Sequence, residues 1–395
     1  MAAADADPAT KGALSAVRVL DLTDERAIYG AKLLADLGAD TVRVEPPEGD
    51  PLRTRGPFAG EGGEAASLWY GFFASSRRSV TFDGSTPAGR RQIERLALAS
   101  DIVMDCGKLE AAGIEFQQLL DKNPSLVLVR VSSFGPDGPW KDYLAPDLVA
   151  SALGGICATT GDVETPPLKG FGELAFYASG AYAAIAALAA LNHVRDGGKG
   201  QIVDVPVHLC IASCLEHVFM WYWYHDRIAM ARGPVLPRRG SLHWSNAYKV
   251  MQARGGSIMI TPTPDMERQV MWLVEEDAHG DLLDERWTDP EMLAEFIDYL
   301  MGLLADWVGT KDVEPFFHEA QARHHPFGWV LPIERVAENP QLEARHWWRN
   351  YAIGGSQIRG PGPPYHFSDT PWSASAAGEA GAATATVLAE IGWEE

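Results

Sequence analysis

The chain has 395 residues, 46% of them hydrophobic, which is ample for a core and long enough for two or three domains. Its formal charge of −20 argues against nonspecific nucleic-acid binding and against an anionic membrane surface, while leaving room for a small anionic ligand held by local arginines. Four cysteines in so long a chain make no disulfide framework, and a reduced, cytoplasmic protein is expected.

The opening MAAADADPATKGALSA has no apolar segment and reads as a flexible tail over residues 1–16 rather than a secretion signal. VRVLDLT, from Val17 to Thr23, is a strand of branched residues. AIYGAKLLADLGA follows as a helix closed at Gly38, and DTVRVEPP is the next strand, stopped by Pro46 and Pro47. The alternation continues. RRSVTF is a strand, PAGRRQIERLALA a helix, DIVMDC a strand, EFQQLLDKNP a helix and LVLVRVSSFG a strand. Strands separated by helical patterns predict parallel βαβ units and a doubly wound α/β domain.

A long helix is predicted from about Ala175 to His193, followed by the strand QIVDVPV. Its Ala-rich part, Ala178 to Leu191, is too short to span a membrane, and no membrane partner is expected. Cys210 and Cys214 lie one helical turn apart but lack a second pair at zinc-site spacing, so buried core thiols are expected and no metal. The aromatic run FMWYWYHD, Phe219 to Asp226, then leads into the linker GPVLPRRGSLHWS. AYKVMQARGGSIMITPT reads as a hairpin, and helical pattern runs on to about Gln321. The expected division is a large α/β domain over 17–225, a smaller α+β domain with linkers over 226–330, and a helical segment over 331–395 returning to the large domain.

No GxGxxG follows the first strand, and there is neither a P-loop nor a G-x-S-x-G elbow. Several stretches nevertheless line up in order: RVLDLT, GAKLLADLGADTVRVEPPEGDPLR, SSRRSVTFD, NPSLVLVRVSSFGPDGPWKDYLAPDLVASALGG, TTGDVETPPLKG, DGGKGQIVDVPV and GPPYHFSDTP. Together they resemble the class III CoA-transferases, the formyl-CoA transferase, carnitine CoA-transferase and bile-acid-inducible group, over nearly the whole chain. The resemblance implies a Rossmann-like large domain built from both chain ends, a smaller domain between them and an interlocked dimer. It also implies an acyl-CoA thioester and a carboxylic acid as substrates, with no permanently bound cofactor and no metal. In that chemistry an Asp attacks the thioester to give a mixed anhydride, and the released thiolate returns to give an enzyme–CoA thioester. Backbone N–H donors from nearby glycines serve the tetrahedral intermediates.

The Asp of the family falls in GELAFYASGAYAA at Phe176, with Leu174, Ala175, Ala178, Gly180 and Tyr182 all matching around it. Phe forms neither anhydride nor thioester. Glu173, three residues earlier, is a candidate substitute, beside a carboxylate not recognised from the sequence, and its alternative reading is a helix-start carboxylate favoured by the dipole. The related racemases use a His at the position of Pro146, before Asp147, so proton transfer of that kind is not expected, and Asp147 reads as a structural carboxylate. For the CoA phosphates the resemblance points to Arg43, Arg77 and Arg78, whose forks suit phosphate oxygens, with Lys108 in the shortened segment MDCGKLEAAG. The alternative is that the arginine pair solvates a strand edge and that Lys108 is a surface residue. Glu25, Arg26 and Tyr29 make the segment after the first strand bulkier and more charged than the family pattern, and the small domain's Gly-rich loop is reduced to ARGGS, Arg254 to Ser257.

These departures fall on functional positions, and the fold-defining pieces are kept. In heteromeric members such as the succinyl-CoA:benzylsuccinate type, only one of two related chains carries the Asp. This chain resembles the one without it, which implies a related Asp-bearing subunit as partner. The alternatives are a homodimeric transferase using Glu173, or a non-catalytic acyl-CoA-binding protein.

Overall fold

The computed structural model describes residues 11–60, 66–161, 165–227, 249–261 and 266–393. Residues 1–10 of the expected tail and the linker at 233–245 lie outside these. The chain divides into two compact units: one of residues 1–154, 171–213 and 340–395, the other of residues 155–170 and 214–339.

The first unit is built on a six-stranded sheet of β1 (Arg18–Leu22), β2 (Asp40–Glu45), β3 (Arg77–Thr81), β4 (Ile102–Asp105), β5 (Val127–Ser132) and β6 (Ile202–Pro206). Every neighbouring pair is parallel, and the order is β3-β2-β1-β4-β5-β6. Successive residues such as Val19 and Leu20, or Leu128 and Val129, are both fully buried. A strand buried on both faces requires helices on both faces, which the connections between parallel strands supply. Each such side chain contributes about 2 kcal/mol on leaving water.

One face carries Leu20, Val42, Val80, Ile93 and Leu96 in a single cluster. Val387 and Ile391 join it from the C-terminal helix Thr384–Glu390 and the residue after it, so the end of the chain packs on this face of the sheet. The other face receives two helices. α1 (Ile28–Asp36) ends at Gly38, whose φ of +96° suits glycine at a helix C-terminus. α2 (Leu174–Arg195) has 22 residues and a mean hydropathy of 1.7 over its most apolar window, so it is longer than the Ala-rich run suggested and by length and composition could cross a membrane. Its buried positions Phe176, Gly180, Ala183, Ala187 and Leu191 recur at helical spacing. The two helices meet backbone to backbone: a Cβ on Gly30 would lie 2.3 Å from the Gly180 carbonyl oxygen.

Arg349–Ile353 and Ser356–Gly360 form an antiparallel hairpin in a segment expected to be helical. Its short strands carry no long apolar alternation, and only Tyr351 and Ile353 are buried.

The second unit holds the antiparallel strands Lys249–Ala253, Gly256–Ile260 and Gly328–Val330, with ARGGS at the turn of the first pair. Helices Met266–Glu275, Leu293–Val308 and Val313–Ala322 surround a core of Trp272, Trp307, Phe316 and Phe327. Helix Glu216–Tyr224 exposes Met220, Tyr222 and Trp223, and Trp223 is 60% exposed. Cys214 is exposed, unlike the buried Cys210, so only one of that pair is a core thiol.

Candidate functional site

In a doubly wound sheet the strand order reverses at one point, and the loops leaving the strand C-termini open there into a crevice. Here the reversal lies between β1 and β4. A cavity of about 510 Å³ sits at the C-terminal ends of β1, β2, β3 and β4, with Leu22, Val44, Phe82 and Ile93 as apolar walls and Asp24, Asp50 and Lys108 among its polar lining. Arg26 ties its two sides together. It forks Asp24 at 2.6–3.0 Å and donates to the carbonyl of Cys106, beyond β4, at 2.7 Å.

Beneath the cavity lies a buried charge network. Asp21 of β1 is fully buried and accepts from Arg43 at 2.8 Å and from the Thr23 hydroxyl at 2.6 Å, and Arg77 pairs with it at 2.9 Å. Burial works against the Asp21 charge, yet Arg43, Arg77 and Thr23 hold its carboxyl down at about 2. Arg43 also pairs with Asp50 and donates to the Thr23 carbonyl at 3.0 Å. Glu45, likewise buried, receives Arg53 through two bonds of 2.6 Å, Ser79 at 2.5 Å and the Asp50 amide at 2.8 Å. Burial again opposes its charge, and Arg53 and Ser79 bring its carboxyl to about 2.

The expected phosphate ligands separate in this geometry. Arg43 and Arg77 have side chains only 1% exposed and present their guanidinium groups to carboxylates and carbonyls, not to the cavity. Arg78 lies toward the N-terminal ends of the strands, forked on Asp40 and paired with Glu390, on the sheet edge opposite the crevice. Lys108 alone lines the cavity. Among the described residues its Nζ makes one hydrogen bond, to the Val44 carbonyl at 3.4 Å, and burial, aided by Arg43, pulls its ammonium below the usual lysine range. Asp105 accepts the amides of Gly107, Lys108 and Leu109 at 2.9, 2.9 and 3.2 Å, so the chain's own carboxylate fills that turn.

The second part of the site is the start of α2. Phe176 is 3% exposed. Its amide and that of Ala175 donate to Oδ1 of Asp147, at 3.3 and 2.8 Å, so a carboxylate from the start of the helix Asp147–Leu153 caps α2. Glu173 occupies the N-cap position, but its side chain caps nothing and instead receives Arg55. It is therefore a helix-start carboxylate by position and an ion-pair partner by bonding. Ser179 donates to the Arg26 carbonyl at 2.6 Å, which fixes α2 against the loop leaving β1 and joins the two parts of the site.

The long-range partners of Arg26, Arg55 and Asp147 lie 80, 118 and 28 residues away, so no local pattern marks these pairings. Among the described residues no group of three or more His, Cys, Asp or Glu side chains is placed to hold a metal ion.

A family model described as CoA-transferase family III matches residues 14–383. The chain is 29% identical over 388 residues to the succinyl-CoA:(R)-benzylsuccinate CoA-transferase subunit BbsE of Thauera aromatica, covering 96% of this chain and 94% of that one. It is 34% identical over 229 residues to the succinyl-CoA–D-citramalate CoA-transferase of Chloroflexus aurantiacus, covering 57% and 56%. Among solved structures, a CAIB/BAIF family protein from Brucella suis matches with a TM-score of 0.80 at 27% identity, over 96% of this chain and 100% of that one.

Proposed function

The chain belongs to CoA-transferase family III, and on that premise we propose that it is the subunit of a heteromeric transferase that lacks the nucleophile and acts beside a related, Asp-bearing subunit. The complex moves CoA between an acyl-CoA and a carboxylic acid, with the CoA thioester as substrate and no permanently bound cofactor. Phe176 carries this reading. It is buried at the first turn of α2, on amides capped by Asp147, where the family resemblance expects the attacking carboxylate. A benzyl side chain makes no acyl bond, and the exchange needs one. Glu173 stands about one turn away and is engaged by Arg55. An acyl-transfer nucleophile placed several ångströms from its donors loses most of its effect.

Two further features support a role in a complex. Leu144 is 89% exposed, Ile185 of α2 64% and Trp223 60%, a quantity of bare apolar surface that a partner chain would cover. An interlocked pair of cytoplasmic chains is the arrangement we favour. The crevice at the strand C-termini, with Lys108 facing it, is the place for the CoA nucleotide and its phosphates.

The test is the native mass of the complex purified from its own source, with each chain identified. A second family member carrying the Asp, at equal stoichiometry, is the expected result. A homo-oligomer that turns over acyl-CoA on its own would overturn the reading and return attention to Glu173.

A further inference from the structure

The Arg55–Glu173 pair has the features of an occupied receptor. Arg55 lies over Trp69, its guanidinium 4.3 Å from the centroid of the ring. Among the described residues it donates to Glu173 through a single terminal nitrogen, so most of its fork is unused. The pair is accessible, with side chains 34% and 20% exposed. Glu173 has no structural duty at the helix end, because Asp147 takes the amides there. Behind the pair runs a continuous aromatic wall: Trp69 packs on Phe73 at 4.6 Å, and Phe73 stacks on Tyr177 at 5.6 Å, one turn past Glu173. Phe171, two residues before Glu173, is fully exposed, and Phe58, three residues past Arg55, is 47% exposed.

We propose that this pair is a self-occupied carboxylate subsite: a small carboxylic acid with an apolar body enters by displacing Glu173 from the Arg55 fork and lays its body over Trp69 and Tyr177, which the buried Phe73 backs. A planar fork accepts a carboxylate through two parallel bonds where Glu173 makes one, and an apolar body covers the parts of Trp69 and Tyr177 that remain open beside the exposed Phe171 and Phe58. The inference rests on the reading of Phe176 as a lost nucleophile, since a pocket that performs no acyl transfer keeps only its binding surface. Glu173 then acts as an internal competitor that sets the acid concentration at which the subsite fills.

Calorimetric titration of the intact native assembly with 3-phenylpropanoate tests this, with 3-phenylpropanol and propanoate as probes lacking the charge and the ring. Saturable binding of the phenyl acid alone is expected. Glu173→Gln, which removes the competitor, should tighten it about tenfold, and Arg55→Gln should weaken it by at least about tenfold. Arg55→Lys, which keeps the charge without the fork, must also bind several-fold more weakly, and it serves where Arg55→Gln fails to fold. Absence of binding in both the wild type and Glu173→Gln, equal affinity in those two, or unchanged affinity in the Arg55 variants would overturn the proposal. The titration contains no acyl-CoA and reads no turnover. Transferase activity in the isolated chain would therefore sink the Phe176 reading on which the subsite rests, while a failed titration beside a confirmed heteromer would sink the subsite alone.

Discussion

Oδ1 of Asp147 accepts the backbone N–H of Phe176 at 3.3 Å, so the residue standing where an attacking carboxylate is expected is held by a carboxylate from another helix. The bond reaches the backbone and is indifferent to the side chain at 176. The scaffold of the site can thus persist after its reactive group has gone. Asp147→Ala should cost about 1–2 kcal/mol in urea unfolding, as the loss of a helix cap does. Asp147→Asn keeps an acceptor and should cost less than half as much. Equal losses in the two variants would show that the cap contributes nothing.

Acid stability should follow the two buried carboxylates of the strand ends. Asp21 and Glu45 are held at about 2 in the folded chain, against about 4 when unfolded. A depressed carboxyl stabilises the fold fully above its unfolded value, and that contribution is lost as pH falls through the folded one. Each should contribute about 2 kcal/mol at neutral pH, disappearing between about pH 4 and pH 2. Denaturant midpoints measured across that window check this, and a flat profile there would contradict the network.

Phosphate binding should distinguish Lys108 from Arg78. Lys108 lines the crevice and, among the described residues, hydrogen-bonds only the Val44 carbonyl, whereas Arg78 is committed to Asp40 and Glu390 on the opposite edge of the sheet. Lys108→Ala should weaken CoA binding by the assembled protein about tenfold and flatten its salt dependence. Arg78→Ala should leave it within about twofold. Equilibrium titration at two ionic strengths reads both, and the reverse ranking would move the nucleotide out of the crevice.

The crossing of α1 and α2 tolerates no side chain. A Cβ on Gly180 would stand 2.7 Å from the Gly30 amide nitrogen, against backbone that has no rotamer to yield. Gly180→Ala should destabilise by about 1–3 kcal/mol, lowering the melting temperature by several degrees. A variant that melts with the wild type would mean that the helices separate at little cost.

Much of this protein was legible in one dimension. Alternating strands and helices, the stop at Pro46 and Pro47, the closure at Gly38 and the Phe at 176 are properties of short windows, and hydrophobic periodicity and turn chemistry act within such windows. The hairpin at 349–360 escaped because two short strands with few buried positions leave little pattern to detect. The arginines stand out in the sequence, but the carboxylates that Arg43 and Arg77 meet do not. Nothing local to Arg43 indicates that β1 lies beside β2 and sets Asp21 against it, 22 residues away, or that Arg77 closes on the same carboxylate from β3. Whether a guanidinium meets a ligand or a buried acid depends on strand order. So does the position of the crevice, and so do the Asp147 cap and the Arg55–Glu173 pair, which join segments far apart in the chain. Charge pairing acts over a few ångströms of space and is blind to separation along the chain, so these roles arise only when packing brings the partners together.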